Sequence, residues 1–438
     1  MDVKRSCDRC HAIKERCEWS HGLNACKRCV RLRHVCKSVR PVKPPGRRPQ
    51  SYKRMSPPSE PEVTSPLSTV ILDNICADER QMIHRMVESK SLERFLIGPT
   101  FLKNHCQLVM SQLFYSTVEL KDALLASSIA WTDEVGESHD CYRKASSAIC
   151  TLSEFEIRDE ADASMCLTLG ALLHTFALKL RVDDIFTICT QTLERIKPLY
   201  ESKPYIEPSK LYMLTCMVFG ELFECLLRCQ VPPLRYKPPA DQSYVDRYAG
   251  VCVTLLPLLH DICELSHAMS FADESDRADI LNALDDVGRA VADWMPPVPG
   301  SFMATYTASE TMHMLCQAQV LQTAALIVIH RLRHPYGSQD EPALAMASAI
   351  MRQLDMTQQV TGGNVKCVDL AVLVACFEFQ GKDRLREQHR MPDLVGYSDK
   401  HKRRIRDIIE SFWSARDSGN VLYWYNLAGA VQLNTTLP

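Results

Sequence analysis

From residue 67 onward, apolar and polar positions alternate with the period of an α-helix. In LYMLTCMVFGELFECLLRC, residues 211–229, Leu211, Leu214, Val218, Leu222, Cys225, Leu226 and Cys229 recur mainly at spacings of three and four, which aligns them along one helix face. The same periodicity predicts helices around 109–130, 162–181, 312–332, 343–355, 369–380 and 402–415. Residues 271–294 hold seven acids between Phe271 and Trp294, but Ile280, Leu284, Val287, Val291 and Trp294 fall at 0, 4, 7, 11 and 14. That register favours an amphipathic helix docked on a core over an acidic activation segment. Asn-Gly and Asp-Gly hairpin signals are absent and only 16 of 438 residues are glycine, so the region reads as mostly α. Proline clusters near 232–239 and 296–299 predict loops within it.

The pattern stops abruptly toward the N-terminus. Between Pro41 and Pro66 lie eight prolines and several serines with few large apolar residues, the composition of a stiff, extended linker. Three domains follow: 1–40, a linker over 41–66 and a helical region over 67–438. No stretch reaches the roughly eighteen uninterrupted apolar residues of a membrane span, and the charged N-terminus lacks the apolar core of a secretory signal. The chain therefore reads as intracellular, with no membrane partner.

Charge sharpens the division. Residues 1–54 carry sixteen Lys or Arg against four Asp or Glu, a net of +12, which leaves −14 for the remainder of a chain whose total is −2. A basic head on an acidic body points to a polyanionic partner for the head.

The head also concentrates six of the twenty cysteines. CDRCHAIKERC and CKRCVRLRHVC both read C-x2-C-x6-C, from Cys7, Cys10 and Cys17 and from Cys26, Cys29 and Cys36. In a reducing compartment such spacing favours metal thiolates over disulfides. Two four-coordinate Zn²⁺ ions need eight ligand places, so six thiolates suffice only if two sulfurs are shared, one from each half. The surrounding cations offset the residual negative charge of such a cluster. A module this small has almost no apolar core, so metal would supply most of its folding free energy. The other fourteen cysteines, Cys76 to Cys376, lie singly in apolar surroundings and read as core residues; for Cys225 and Cys229, on one helix face, core packing is favoured over metal.

Residues 7–36 resemble the fungal zinc binuclear cluster DNA-binding domain, including the Lys-x-Arg-Cys ending formed by Lys14, Glu15, Arg16 and Cys17. The resemblance implies a two-zinc module in the nucleus that places a helix in the major groove of double-stranded DNA. It also implies Cys7 and Cys26 as the bridging ligands. Lys14 matches the lysine at the end of the family's first helix that contacts bases, typically in a CGG-like triplet. Arg9, His11 and Arg16 are further candidates for DNA contact, with Lys27 and Arg28 as phosphate contacts. Arg47 and Arg48 in the linker suit a phosphate-tracking arm or a nuclear import signal. His11, His21 and His34 are read as surface residues, since cysteines fill every ligand place.

The helical region resembles, more loosely, the regulatory domains that accompany this cluster in fungal activators. IHRLRHPYGSQDEPALAMASAI, residues 329–350, and the segment through Phe412 and Trp413 carry that likeness. The reading is a transcription factor of RNA polymerase II genes that engages the transcription machinery or co-regulators and, by size and layout, suits control of a biosynthetic gene cluster. The alternative is a zinc-containing co-regulator acting through protein contacts alone. For a homodimer, Leu72, Ile75, Met82 and Met86 offer a/d-like places, but Glu79 and Ser89 interrupt the heptad. Hydrolase, metalloprotease, dinucleotide and phosphate-loop motifs are all absent, which argues against an enzyme.

Overall fold

A computed structural model describes residues 6–14, 16–19, 24–39, 76–88, 91–132, 138–241 and 244–431. The linker with Arg47 and Arg48, and the heptad residues Leu72 and Ile75, lie outside them. The chain divides into two units, Met1–Val70 and Ile71–Pro438. Among the described residues of the first are two short helices, α1 (Asp8–Ala12) and α2 (Lys27–Arg31).

Among the described residues of the second unit the regular elements are helices joined by loops. It begins with α3 (Ala77–Glu88), α4 (Leu102–Tyr115), α5 (Thr117–Thr132), α6 (His139–Glu154), α7 (Glu160–Leu180) and α8 (Ile185–Ser202). It continues with α9 (Leu214–Arg228), α10 (Leu256–Phe271), α11 (Glu274–Asp293), α12 (Phe302–Thr305), α13 (Ala308–Arg333) and α14 (Asp340–Thr361). The last four are α15 (Asp369–Glu378), α16 (Gly381–Leu394), α17 (Asp399–Asp417) and α18 (Leu427–Ala430).

Two long apolar helices organise this body. α7 packs against α5 and α8, and α13 against α11, α14 and α15. By length and composition both could cross a membrane, yet 78% of the apolar window of α7 and 56% of that of α13 are buried within the protein. They are core helices. Gly170 permits the approach of α7 to α8, because a Cβ there would sit 2.3 Å from Thr192 Oγ1. α15 lies deeper still: every residue from Leu370 to Glu378 is buried, and the Phe377 ring stacks on Phe412 of α17 at 4.1 Å.

Most sequence expectations survive, with instructive departures. The helix expected over 109–130 is broken at Ser116, whose φ of −142° and ψ of 51° end α4; the Thr117 hydroxyl donates to Leu113 O, so polar side-chain chemistry turns the chain there. α11 is the docked amphipathic helix, with Leu284 and Val291 fully buried. The proline clusters near 232–239 and 296–299 are loops. Met82 and Met86 face the core of their own body, Met86 at 1% exposure, so α3 uses its apolar stripe internally. α6, α8, α10 and α16 escaped the periodicity scan. α8 and α16 even continue through Pro198 and Pro392, each of which forfeits the hydrogen bond to the carbonyl four residues back. Cys225 is buried in the core, and Cys229 caps α9 at φ 52° with its thiol on Trp424 O.

One buried carboxyl carries a pH signature. Glu221 of α9 is 1% exposed; its Oε1 accepts from Thr190 Oγ1 at 2.7 Å, while Oε2 is buried without a partner. Burial pushes its pKa up to about 8, with Thr190 opposing and Glu194 reinforcing the rise. The folded protein therefore holds a proton that the unfolded chain releases above about pH 4.3. Stability from this group is present below that pH and falls, by about 1.4 kcal/mol per unit, until the folded group ionises. Glu221→Gln should flatten the slope: urea titrations at pH 5 and pH 8 are expected to show the variant gaining on the parent much more at pH 8 than at pH 5.

Candidate metal centre and nucleic-acid interface

The two cysteine halves fold as near copies offset by nineteen residues. Cys7 and Cys26 are the N-caps of α1 and α2, with ψ of 160° and 152°. Each sulfur accepts from the amide three residues on, Cys10 N at 3.5 Å and Cys29 N at 3.4 Å. The third cysteine of each half returns to its own start: Cys17 Sγ accepts from Cys7 N at 3.3 Å and Cys36 Sγ from Cys26 N at 3.4 Å. The return depends on a reversal just past each helix, where Lys14 and Arg33 adopt matching left-handed conformations, φ 53° and 52°. Non-glycine residues rarely take this conformation, and here it occurs at equivalent places in both halves.

The result is two four-sulfur sets, Cys7, Cys10, Cys17, Cys26 and Cys7, Cys26, Cys29, Cys36, each with its sulfurs within 4.8 Å of one another. Cys7 and Cys26 belong to both sets. The separations Cys7–Cys26, Cys7–Cys29 and Cys10–Cys26 are all 3.8 Å. A tetrahedral zinc thiolate with bonds of about 2.3 Å has sulfur–sulfur edges of about 3.8 Å, so the donor set fits zinc in kind and spacing. Burial acts to raise the Cys26 thiol, but the helix amide of Cys29 and the neighbouring thiols more than offset it, bringing it to about 6. Cys7 is lowered by the same balance, with Cys10 supplying the amide. Burial pushes Cys10 up to about 12. The two sulfurs common to both sets are those whose thiols the helix amides lower.

The module closes on itself through polar contacts that spacing alone did not suggest. Asp8 N donates to Lys37 O, Val39 N donates to the Asp8 carboxylate, and Lys27 N donates to Glu18 O. Arg9, His11 and Lys14 are exposed around α1. Lys14 stands beyond the helix, after the C-cap Ile13, so its direction is set by the reversal. Arg16 and Lys27 converge instead on Glu18, at 3.1 and 3.5 Å; such exposed pairs are weak and leave both cations free to exchange partners. Arg28 is half-buried beside the cluster and differs in this from the exposed Lys27. Glu18 had no signal in the spacing, since its role comes from the chain reversal that brings 16 and 27 together.

Comparison with known proteins decides the class. The fungal-specific transcription factor domain matches residues 180–436. The chain belongs to this family. It is accordingly a regulatory protein and not an enzyme. A C6 finger transcription factor, traC, of Penicillium crustosum is 52% identical over 42 residues, a match covering 10% of this chain and 10% of the relative's length. No solved structure matches the chain. The family region covers the helical body from α8 onward, while the six-cysteine cluster lies in the other unit and is compatible with zinc binding.

Proposed function

We propose that this family member is a nuclear, zinc-dependent regulator of RNA polymerase II genes that reads a short CGG-like element in double-stranded DNA. The reading divides the chain into a zinc cluster at 1–40, a basic linker at 41–66 and a regulatory region at 67–438 that contacts transcription machinery or co-regulators. Two Zn²⁺ ions would be held by Cys7, Cys10, Cys17, Cys26, Cys29 and Cys36, with Cys7 and Cys26 shared. The metals would cross-link two helices that have no apolar core and so fix the surface that meets DNA.

The observation that carries the proposal is the pair of sulfur sets with two common members, set in a segment of net charge +12. Lys14 would donate to guanine O6 and N7. Arg9, His11, Arg16, Lys27, Arg28 and the linker residues Arg47 and Arg48 would contact phosphate or flanking bases. The module's own fold presents one exposed cation at each of its two matching reversals, Lys14 and Arg33, which suits a backbone-tracking role for the second half. A homodimer would place two such modules on paired half-sites. Size and layout suit a regulator of a biosynthetic gene cluster, testable by transcript profiling after gene deletion.

The deciding experiment is a binding selection on random duplexes with the full chain. Enrichment of a CGG-like triplet is expected, with Lys14→Ala relaxing discrimination at that triplet by roughly 1–3 kcal/mol. Equal binding to all duplexes would remove the sequence-reading role and favour a scaffold acting through protein contacts.

A further inference from the structure

Helix α10 carries His260, Asp261 and Glu264 in the middle of its length, and one ligand atom from each lies within 4.8 Å of the others. His260 and Glu264 are one turn apart on the same helix face. Asp261 is half-buried and Glu264 is exposed, so the group meets solvent on its carboxylate side.

His260 sets this group apart from an ordinary acidic surface. The residue is 5% exposed, and its Nδ1 is buried without a hydrogen-bond partner. Glu264 Oε2 stands 3.8 Å from that nitrogen, beyond hydrogen-bond reach. The ring bonds the Pro232 carbonyl instead. Since Nδ1 has no partner, Nε2 makes that bond, and because a carbonyl can only accept, Nε2 carries the proton. Burial holds the ring below its ordinary pKa against the pull of Glu264, so at neutral pH it is uncharged and Nδ1 presents a lone pair. That lone pair and two carboxylates then converge with no donor among them. Buried polar groups are nearly always paired, and what pairs three converging acceptors is a cation.

The loop that follows α9 holds these ligands in place. Arg235 grips both oxygens of Asp261, with Nη1 donating to Oδ1 and Nη2 to Oδ2 at 3.0 Å. Each carboxylate oxygen has two lone pairs, so Asp261 keeps capacity for an ion while Arg235 orients it. Pro232 orients the imidazole in the same way, the pattern of outer partners around metal ligands. Donor chemistry selects the ion: imidazole suits zinc, copper or nickel, not magnesium or calcium, and two carboxylates neutralise a divalent charge. A tetrahedral zinc with bonds of about 2.1 Å keeps its ligands about 3.4 Å apart, so Glu264, now at 3.8 Å, closes on Nδ1 by a shift of about 0.4 Å. Burial of the nitrogen is no obstacle, since the ion enters from the side of the exposed Glu264 carboxylate; Cys7 and Cys26 are as deeply buried in their sulfur sets.

We propose that His260 Nδ1, Asp261 and Glu264 form a further metal site, for a divalent transition ion of the zinc class, separate from the cysteine cluster. With one nitrogen and two oxygen donors it binds more weakly than a four-thiolate set and loads from added metal. The site lies wholly within the helical body, and its test is independent of DNA reading. The full-length chain, dialysed with its cysteine cluster metal-loaded, is titrated with Zn²⁺ by calorimetry and with Co²⁺ by absorption spectroscopy. One further equivalent of Zn²⁺ is expected, with Co²⁺ giving d–d bands and no added thiolate charge-transfer band, because no sulfur ligates at this site. Glu264→Gln changes an exposed side chain and should leave the helical circular dichroism as it is, while weakening that equivalent by about tenfold or more, the least that loss of even an outer partner costs a metal site. Failure to bind the further equivalent, Co²⁺ uptake accompanied by a thiolate band, or undiminished affinity in Glu264→Gln each overturns the proposal.

Discussion

Replacing Cys7 or Cys26 by serine is expected to strip both metals from the N-terminal module, whereas replacing Cys17 or Cys36 should cost only one. The difference follows from membership: Cys7 and Cys26 belong to both four-sulfur sets, Cys17 and Cys36 to one each. With Cys17→Ser the set Cys7, Cys26, Cys29, Cys36 remains whole; with Cys7→Ser neither set keeps four sulfurs. A structural zinc contributes roughly 10 kcal/mol or more to the folding of a small domain, and the buried hydrophobic cluster of this module consists of Cys7, Cys10, Cys26 and Cys29. Nothing apolar could replace the loss. The measurements are zinc content of the purified full chain and protease sensitivity within residues 1–40. Two zincs per parent chain, one for Cys17→Ser and less than one with rapid cleavage for Cys7→Ser are expected; identical losses from Cys7→Ser and Cys17→Ser would reject sharing.

Arg331→Met should destabilise the helical body by roughly 3–5 kcal/mol, the range for breaking a buried ion pair on one side. Arg331 of α13 is fully buried and donates through Nε to Glu378 of α15 at 2.9 Å and through Nη2 to Asp340 of α14 at 2.7 Å. Its Nη1 serves the carbonyls of Pro335 and Ser338, and its guanidinium lies 4.6 Å from the Tyr336 ring. One side chain thus ties three helices and the turn between two of them. Methionine preserves much of the volume and leaves Glu378, also fully buried, without its partner. The shift in urea midpoint measures the effect, and Arg331→Met with Glu378→Gln should recover part of it, because the orphaned charge rather than the lost contact dominates the cost. An unchanged midpoint in the single variant would show that the network contributes specificity and no stability.

These two predictions mark different degrees of legibility. The clustering of the six N-terminal cysteines could be read, because they repeat at fixed short spacing and the structure brings them together in two four-sulfur sets. The left-handed reversals at Lys14 and Arg33 and the capture of Arg16 and Lys27 by Glu18 were not readable. Spacing says nothing about backbone handedness or about which charges a turn brings together.

In the body, strongly amphipathic or uniformly apolar segments announced α7, α9, α13 and α15. α16 did not, since its sequence GKDRLREQHRMPDL is polar on most sides and buries only Glu387, Met391 and Leu394. The segment at residues 329–350 carried the likeness to fungal regulatory domains but no physical reason for it. The structure supplies one in Arg331, Pro335, Ser338 and Asp340, which act as a local cradle completed by Glu378, forty-seven residues from Arg331.

The sequence by itself therefore determined the six-cysteine grouping, the helical class of the body and the charge division between head and body, since each depends on neighbours a few residues apart. Only the tertiary structure decided that Arg16 and Lys27 meet Glu18 in the module, which buried charges pair across α13, α14 and α15, and that His401 and Asp369 meet beside a cavity. Those outcomes depend on which surfaces touch after packing, and residues brought together from distant helices leave no periodic trace along the chain.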